Sequence, residues 1–281
     1  MKKWHLIIDV EKCEDCNNCL MACKDEHVDN EWTGYSKPQP QLGQRWMNVM
    51  RAERGQYPLI DMAYRPTPCM HCDDAPCVKA GEGAVTKRPD GIVLIDPAKA
   101  KGKKELVNSC PYEVISWNEE AEVAQKCTLC AHLLDQGWKL PRCVQVCPTG
   151  ALSVQYLEDA DLERLVQKDE LENLYPEYQT QPTVYYKNMY RFDRCFIAGS
   201  VAVNKHGIVD CLQGVSVKIY QDEKMIAETV TDAFGDFKVD KLLPQSGKYA
   251  IEVLPKGFTK KTIHIDLVDS VNVGEIIFSE N

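Results

Sequence analysis

Apolar and polar residues alternate along the last third of the chain. In VSVKIY (215–220), YAIEV (249–253) and TIHIDL (262–267), every second residue is apolar, so each run as a strand turns one apolar face toward a core. Turn residues punctuate these runs near His206-Gly207, Asp232 to Gly235, Ser246-Gly247 and Lys256-Gly257. Some seven short strands are therefore expected from about Cys195 onward, in a small β-sandwich or barrel of immunoglobulin- or transthyretin-like type. Upstream the period changes. EDADLERLVQKDELENL (158–174) sets Leu162, Leu165 and Val166 at helical spacing behind acidic residues, which predicts a helix. PTVYYKNMYRF (182–192) reads as an extended aromatic connector packed against a surface, and GIVLID (91–96) and ALSVQ (151–155) read as strands of small hairpins beside helical turns. Residues 31–65, with Pro38, Pro40, Gly43, Gly55 and Pro58, read as a long partner-facing loop.

A length of 281 residues suits two domains. Lys and Arg number 33 against 42 Asp and Glu, so the positive field that carries nucleic-acid binding is missing and nucleic acid is excluded as a partner. The apolar stretch in MKKWHLIIDVEKC is broken at His5 and Asp9, too short for a secretory signal. No apolar run reaches the ~18 residues of a membrane helix. The expectation is a soluble, cytoplasmic chain without a membrane anchor, able to leave the cytoplasm only with a folded partner that carries an export signal.

Fourteen cysteines change the picture. Twelve lie from Cys13 to Cys147, and only Cys195 and Cys211 fall beyond. In a reducing compartment such clusters are metal ligands more often than disulfides. CEDCNNCLMAC places Cys13, Cys16, Cys19 and Cys23 at C-x2-C-x2-C-x3-C, the bacterial ferredoxin run, whose fourth cysteine ligates the other cluster of a pair. Two-residue gaps let one loop aim three thiolates at a single cube, after which the chain is expected to turn away. The partner group is Cys127, Cys130, Cys143 and Cys147, followed by Pro148. Crossed ligation then gives one [4Fe–4S] cluster on Cys13, Cys16, Cys19 and Cys147, and a second on Cys23, Cys127, Cys130 and Cys143.

CMHCDDAPC supplies Cys69, Cys72 and Cys77, with Gly81 in the fourth slot, while AKAKGKKELVNSCPYE (98–113) keeps only Cys110 before Pro111. Under the same crossing, Cys69, Cys72, Cys77 and Cys110 hold a third [4Fe–4S] cluster. A fourth would have used positions 81, 100, 103 and 106, which are Gly81, Ala100, Lys103 and Leu106. Random decay leaves partial sets, so the pattern reads as removal of one whole site. Structural zinc, a disulfide scaffold and, for the third site, a [3Fe–4S] centre with Cys110 merely buried remain open alternatives.

A cube held by four thiolates has no open position, so its chemistry is one-electron storage and transfer rather than catalysis. Lys12 and Lys126 precede the first cysteines of two groups. Either can stabilise a reduced, more negative cluster, against the default of a solvated surface charge. His5, His27, His71 and His132 are read as ordinary polar residues, since twelve cysteines already fill three clusters. Trp4, Trp32, Trp46, Trp117 and Trp138 are read as core or interface anchors. The fold class is α+β: a polyferredoxin domain of tandem ferredoxin-like modules over 1–157, a helix and extended linker over 158–194, and the all-β domain over 195–281. That β domain holds no cluster of catalytic residue types and suits docking or scaffolding, with Cys195 and Cys211 as free, partly buried thiols.

The four-group cysteine architecture resembles the iron–sulfur electron-transfer subunits of the dimethyl sulfoxide reductase family of molybdenum and tungsten enzymes. CEDCNNC, DEHVDNEWTGY, RPTPCMHC, GIVLIDPAKAKGKKEL, AQKCTLCAHLLD and YYKNMYRF, followed by the β domain, make the chain similar to the branch that transfers hydroxyl groups between polyhydroxylated aromatics. The resemblance implies a heterodimer with a large catalytic subunit. That partner alone would carry a bis-(molybdopterin guanine dinucleotide) molybdenum or tungsten site, and this chain three [4Fe–4S] clusters and no catalytic residue. It also implies that the cluster on Cys13, Cys16, Cys19 and Cys147 lies nearest the partner. The missing fourth is the terminal one that elsewhere in the family faces a membrane-bound quinone partner, so the departure argues against membrane coupling. The alternatives are the same role beside a resorcinol hydroxylase or an oxyanion or sulfur-compound reductase, and, in another class, a zinc-stabilised adaptor.

Overall fold

In the computed structural model, which describes residues 1–279, the chain divides into two compact units. One comprises 1–51 and 64–189, the other 52–63 and 190–281. The first is organised on a three-stranded sheet with Lys3–Asp9 at its centre, antiparallel to Leu152–Leu157 and parallel to Val184–Lys187. Leu6 and Ile8 are buried to 1% and 0% exposure on one face, and His5 and Asp9 are buried on the other beside a half-buried Ile7, as successive residues of a central strand covered on both sides should be. Around this sheet stand the helix Asn18–His27, the short helices Pro76–Ala80, Ala131–Asp135 and Arg142–Gln145, and a 3-10 turn at Lys104–Ser109. Two hairpins complete the unit: Val85–Lys87 with Val93–Ile95, and Ser116–Asn118 with Val123–Gln125.

The N-terminal strand corrects one expectation. ALSVQ does not form a local hairpin, because Leu152–Leu157 pairs instead with Lys3–Asp9, some 150 positions earlier. The aromatic connector is extended and packed, as its composition predicted. Tyr186 is fully buried in the strand Val184–Lys187, its hydroxyl donating to the Pro66 carbonyl at 3.0 Å. The helix Asp159–Asp169 forms where its spacing predicted but ends early, at Glu170 in the left-handed region (φ 51°). Segment 158–189 thus groups with the first unit. The long loop is likewise corrected: Asn48–Gln56 and Leu59–Thr67 pair as a hairpin, with 52–63 counted in the second unit. Gly55 makes that hairpin possible, since its φ is +90° and a Cβ there would stand 2.5 Å from the Leu59 carbonyl oxygen.

The second unit contains eight strands between Cys195 and Ser279, one more than expected. Cys195–Lys205 pairs with Asp236–Leu242 and Ile208–Cys211 along successive halves, and in parallel with Val271–Ser279. A second four-stranded sheet runs Lys224–Val230, Ser216–Gln221, Gly247–Val253, Lys261–Leu267. The alternating apolar residues of both sheets meet in one core: Ile197, Val201 and Phe237 from the first, with Val217, Ile219, Ile251 and Leu267 from the second. Each such fully buried aliphatic chain contributes about 1.5–3 kcal/mol. Arg54, 6% exposed, is held by Asp61 at 2.6 Å and Asp240 at 2.7 Å. Cys195 is buried, with its thiol 3.6 Å from Asp269 Oδ1. Cys211, expected to be partly buried, is exposed because Ile208–Cys211 is exposed along its whole length.

Candidate metal centres

Three C-x2-C loops share one backbone device. The residue just before each second cysteine, Asp15, His71 or Leu129, is left-handed, with φ of 55°, 44° and 52°. For a non-glycine residue this conformation costs roughly 1–2 kcal/mol. What it gains is direction: the His71 amide donates to Cys69 Sγ at 3.4 Å and the Leu129 amide to Cys127 Sγ at 3.3 Å. The Asp15 amide likewise stabilises the Cys13 thiolate, although burial outweighs it and pushes that thiol up. Amides aimed at sulfur favour the ionised, metal-binding form.

The first run continues as a helix rather than turning away. Cys19 and Cys23 both lie on Asn18–His27, and a four-residue step lifts Cys23 about 6 Å along the axis on the same face. That rise separates the two cysteines between two sites. Burial pushes the Cys19 thiol up to about 11, with Cys13, Cys16 and Cys147 adding to the shift as its nearby acidic neighbours. The four thiols of the first set are therefore gathered, with Cys16 exposed. Cys23, Cys127, Cys130 and Cys143 line one small cavity walled by His27, Trp46 and Met47. Cys69, Cys72, Cys77 and Cys110 line another, walled by Val93, Tyr112, Ile115 and Lys126.

Burial pushes Cys72 up to about 12 and Cys77 to about 11, and Cys23 and Cys143 well above the ordinary thiol value. Buried neutral thiols grouped in fours around a void are the donor set of a polynuclear group, whose binding releases their protons. Among the described residues no three His, Cys, Asp or Glu side chains converge closely enough for a single ion, and a cube spreads its thiolates wider than one zinc ion does. The residues fit a [4Fe–4S] group.

The four positions that the cysteine spacing leaves without a thiol, Gly81, Ala100, Lys103 and Leu106, can also be located. Ala100 and Leu106 are 0% exposed, and Lys103 Nζ donates to the Gly81 carbonyl at 3.4 Å. A Cβ on Gly81 would stand 2.7 Å from Val85 Cγ2 and 2.9 Å from the Cys77 carbonyl oxygen.

All four histidines near the runs are buried. Burial lowers His5 to about 4 and His27 to about 3, and holds His71 well below the usual range. His71 Nδ1 accepts from the Val93 amide at 3.0 Å, while His132 Nε2 meets Glu26 at 2.9 Å under the Trp32 ring. Trp46 is core, whereas Trp138 is 44% exposed. Lys12 is exposed, as a solvated charge should be, but Lys126 is not: it is 3% exposed. Sequence spacing singled out Lys126 without revealing its burial, because it lies between the buried strand Val123–Gln125 and Cys127.

Residues 60–157 match the 4Fe-4S dicluster domain family. The chain is 48% identical over 282 residues to the pyrogallol hydroxytransferase small subunit of Pelobacter acidigallici, across 98% of this chain and 99% of that one. It is 30% identical to the arsenate respiratory reductase iron–sulfur subunit ArrB of a Shewanella species, across 64% of this chain and 94% of that one. It is also 30% identical to the thiosulfate reductase electron transfer subunit PhsB of Salmonella typhi, across 59% of this chain and 82% of that one.

Proposed function

We propose, from the premise that this chain belongs to the family of the pyrogallol hydroxytransferase small subunit, that it is the electron-carrying, non-catalytic subunit of a molybdopterin enzyme of the pyrogallol–phloroglucinol transhydroxylase type. Its three [4Fe–4S] clusters are held by Cys13, Cys16, Cys19 and Cys147; by Cys23, Cys127, Cys130 and Cys143; and by Cys69, Cys72, Cys77 and Cys110. A cluster of this kind, when bound, supplies one-electron storage at fully ligated irons. The chain's own residues exclude water from two of the sites, fix the thiolates and aim amides at them. The observation that carries the reading is the sorting of twelve cysteines into three groups of four, two of them each around its own buried cavity.

On this reading the catalytic partner holds the molybdenum or tungsten bis-(molybdopterin guanine dinucleotide) and the aromatic substrate, in a cytoplasmic heterodimer without a membrane anchor. No helix among the described residues is long and apolar enough to cross a membrane. Moving a hydroxyl between two aromatics needs no net electron flow, and this suits a wire whose terminal site is packed shut. The two sheets of the second unit form a β-sandwich that scaffolds the assembly. The 48% match spans nearly the whole chain, β unit included, and this favours the transhydroxylase type over a reductase of the arsenate or thiosulfate kind, the second reading.

The complex is purified anaerobically and assayed for iron, sulfide and low-temperature EPR signals after dithionite reduction. About twelve irons per chain are expected, falling by about four in Cys110→Ala. Retention of all iron in that variant defeats the ligand assignment, and zinc in place of iron defeats the electron-transfer reading. Turnover of pyrogallol without an added electron acceptor separates the transhydroxylase from the second reading.

A further inference from the structure

Lys126 is a buried cation without a counter-ion. Its ammonium donates to the Val93 carbonyl and to the Cys127 carbonyl at 3.1 Å, and among the described residues no carboxylate lies within 4 Å of it. Its neighbours do not neutralise it. Lys87 is itself a cation, already paired with Asp73 at 2.7 Å, and buried His71 offers no negative charge, its Nδ1 accepting from the Val93 amide at 3.0 Å. Two carbonyls satisfy two of the three ammonium protons, but carbonyl dipoles do not cancel a unit charge, and an isolated buried ammonium costs several kcal/mol. The counter-charge must come from what fills the space beside it. Lys126 lines the cavity of Cys69, Cys72, Cys77 and Cys110. It does not line the cavity of Cys23, Cys127, Cys130 and Cys143, although it adjoins Cys127 in sequence.

We infer that Lys126 is a potential-setting residue for the cluster of Cys69, Cys72, Cys77 and Cys110, its fixed positive charge raising that cluster's midpoint. This rests on the three-cluster reading. In the step concerned, one electron leaves the site of Cys23, Cys127, Cys130 and Cys143, which is oxidised, and arrives at the site of Cys69, Cys72, Cys77 and Cys110, which is reduced. No proton or bond changes hands. The receiving site becomes one unit more negative beside a fixed positive charge that the protein leaves otherwise unbalanced.

The test is an EPR-monitored redox titration, with iron and sulfide analysis, of the whole complex carrying Lys126→Met, which keeps the aliphatic stem, and Lys126→Arg, which keeps the charge. In Lys126→Met the reduced-to-oxidised ratio of one centre at fixed potential is expected to fall at least tenfold, a 59 mV lower midpoint. The centre of Cys13, Cys16, Cys19 and Cys147 should stay in place, and Lys126→Arg should restore the shifted one. Loss of about four irons in Met but not in Arg also supports a counter-charge. Full iron with unmoved midpoints in Lys126→Met overturns the inference, as does equal iron loss from both variants, which leaves only a packing role. Fewer than three centres in the unsubstituted complex would instead defeat the three-cluster reading.

Discussion

Leu106→Ala tests whether packing has replaced a metal site. Leu106 is 0% exposed, beside Ala100, also 0%, on the 3-10 turn Lys104–Ser109 that delivers Cys110. Truncating a fully buried leucine costs about 2.7–5.0 kcal/mol, depending on how far the surroundings collapse into the void. Here they can collapse in part. The Lys103 side chain is 28% exposed and held only by contacts of 3.4–3.5 Å to Gly81 and Glu82, so its flexible stem can swing inward. The low end applies, about 3 kcal/mol, which raises the population of the locally opened turn on the order of 100-fold. Hydrogen exchange read by mass spectrometry should accelerate by that factor in the peptide spanning 104–110. Chelator-driven iron loss should become faster for the third of the iron bound through Cys110. Leu106→Met, nearly volume-conserving, should change either rate by less than about tenfold. Unchanged exchange over 104–110, or iron loss accelerated equally at all three sites, would refute the idea that this packing secures the Cys110 ligand.

Two further outcomes follow from other residues. Leu129→Pro removes the amide that donates to Cys127 Sγ and fixes φ near −65° where the loop needs +52°, so about four irons should be lost, read by iron analysis, with the other two EPR signals retained. Burial pushes Asp61 up, but the Arg191 and Arg54 hydrogen bonds and the Lys238 charge outweigh it and hold the carboxyl below its ordinary value. A depressed carboxylate contributes stability that is complete above its unfolded pKa, about 3.9, and drains away as pH falls through the lower folded value. Acid unfolding followed by circular dichroism should therefore show Asp61→Asn less stable than the parent at pH 6, with the gap closing below about pH 4; a gap that persists unchanged at low pH contradicts this account.

What could be read from the sequence was whatever has a short period. Val217, Ile219, Ile251 and Val253 alternate with polar neighbours, and they are the buried faces of their strands. Leu162 sits on a real helix for the same reason. The hairpin of Asn48–Gln56 with Leu59–Thr67 was hidden by its composition. Its stem alternates poorly, with Met50, Arg51 and Glu53 exposed in succession around a half-buried Ala52, and Gly55 and Pro58 near the turn look like loop punctuation. The pairing of Lys3–Asp9 with Leu152–Leu157 and Val184–Lys187 was hidden for a different reason. No local signal reports a partner more than 140 residues away; only burial of both faces of the central strand demands one.

The cysteines illustrate how spacing and tertiary placement divide the information. Spacing alone sorted twelve thiols into three sets, because the reach of a two-residue loop and the rise of one helical turn are local quantities. It did not show that Cys19 and Cys23 lie on one uninterrupted helix, the geometry that the proposed crossed assignment would use. Spacing also drew notice to Lys12 and Lys126 equally, since each stands one residue before a cysteine. The fold makes them unequal. Lys12 follows Asp9, the end of the first strand, and turns out to solvent. Lys126 leaves the buried strand Val123–Gln125 and enters a cavity wall, where a charge has no water to spread into. Of two lysines in the same sequence context, only the one denied a carboxylate and denied solvent can act on a neighbouring cluster at close to its full charge. That distinction is written in long-range packing and nowhere in the order of residues.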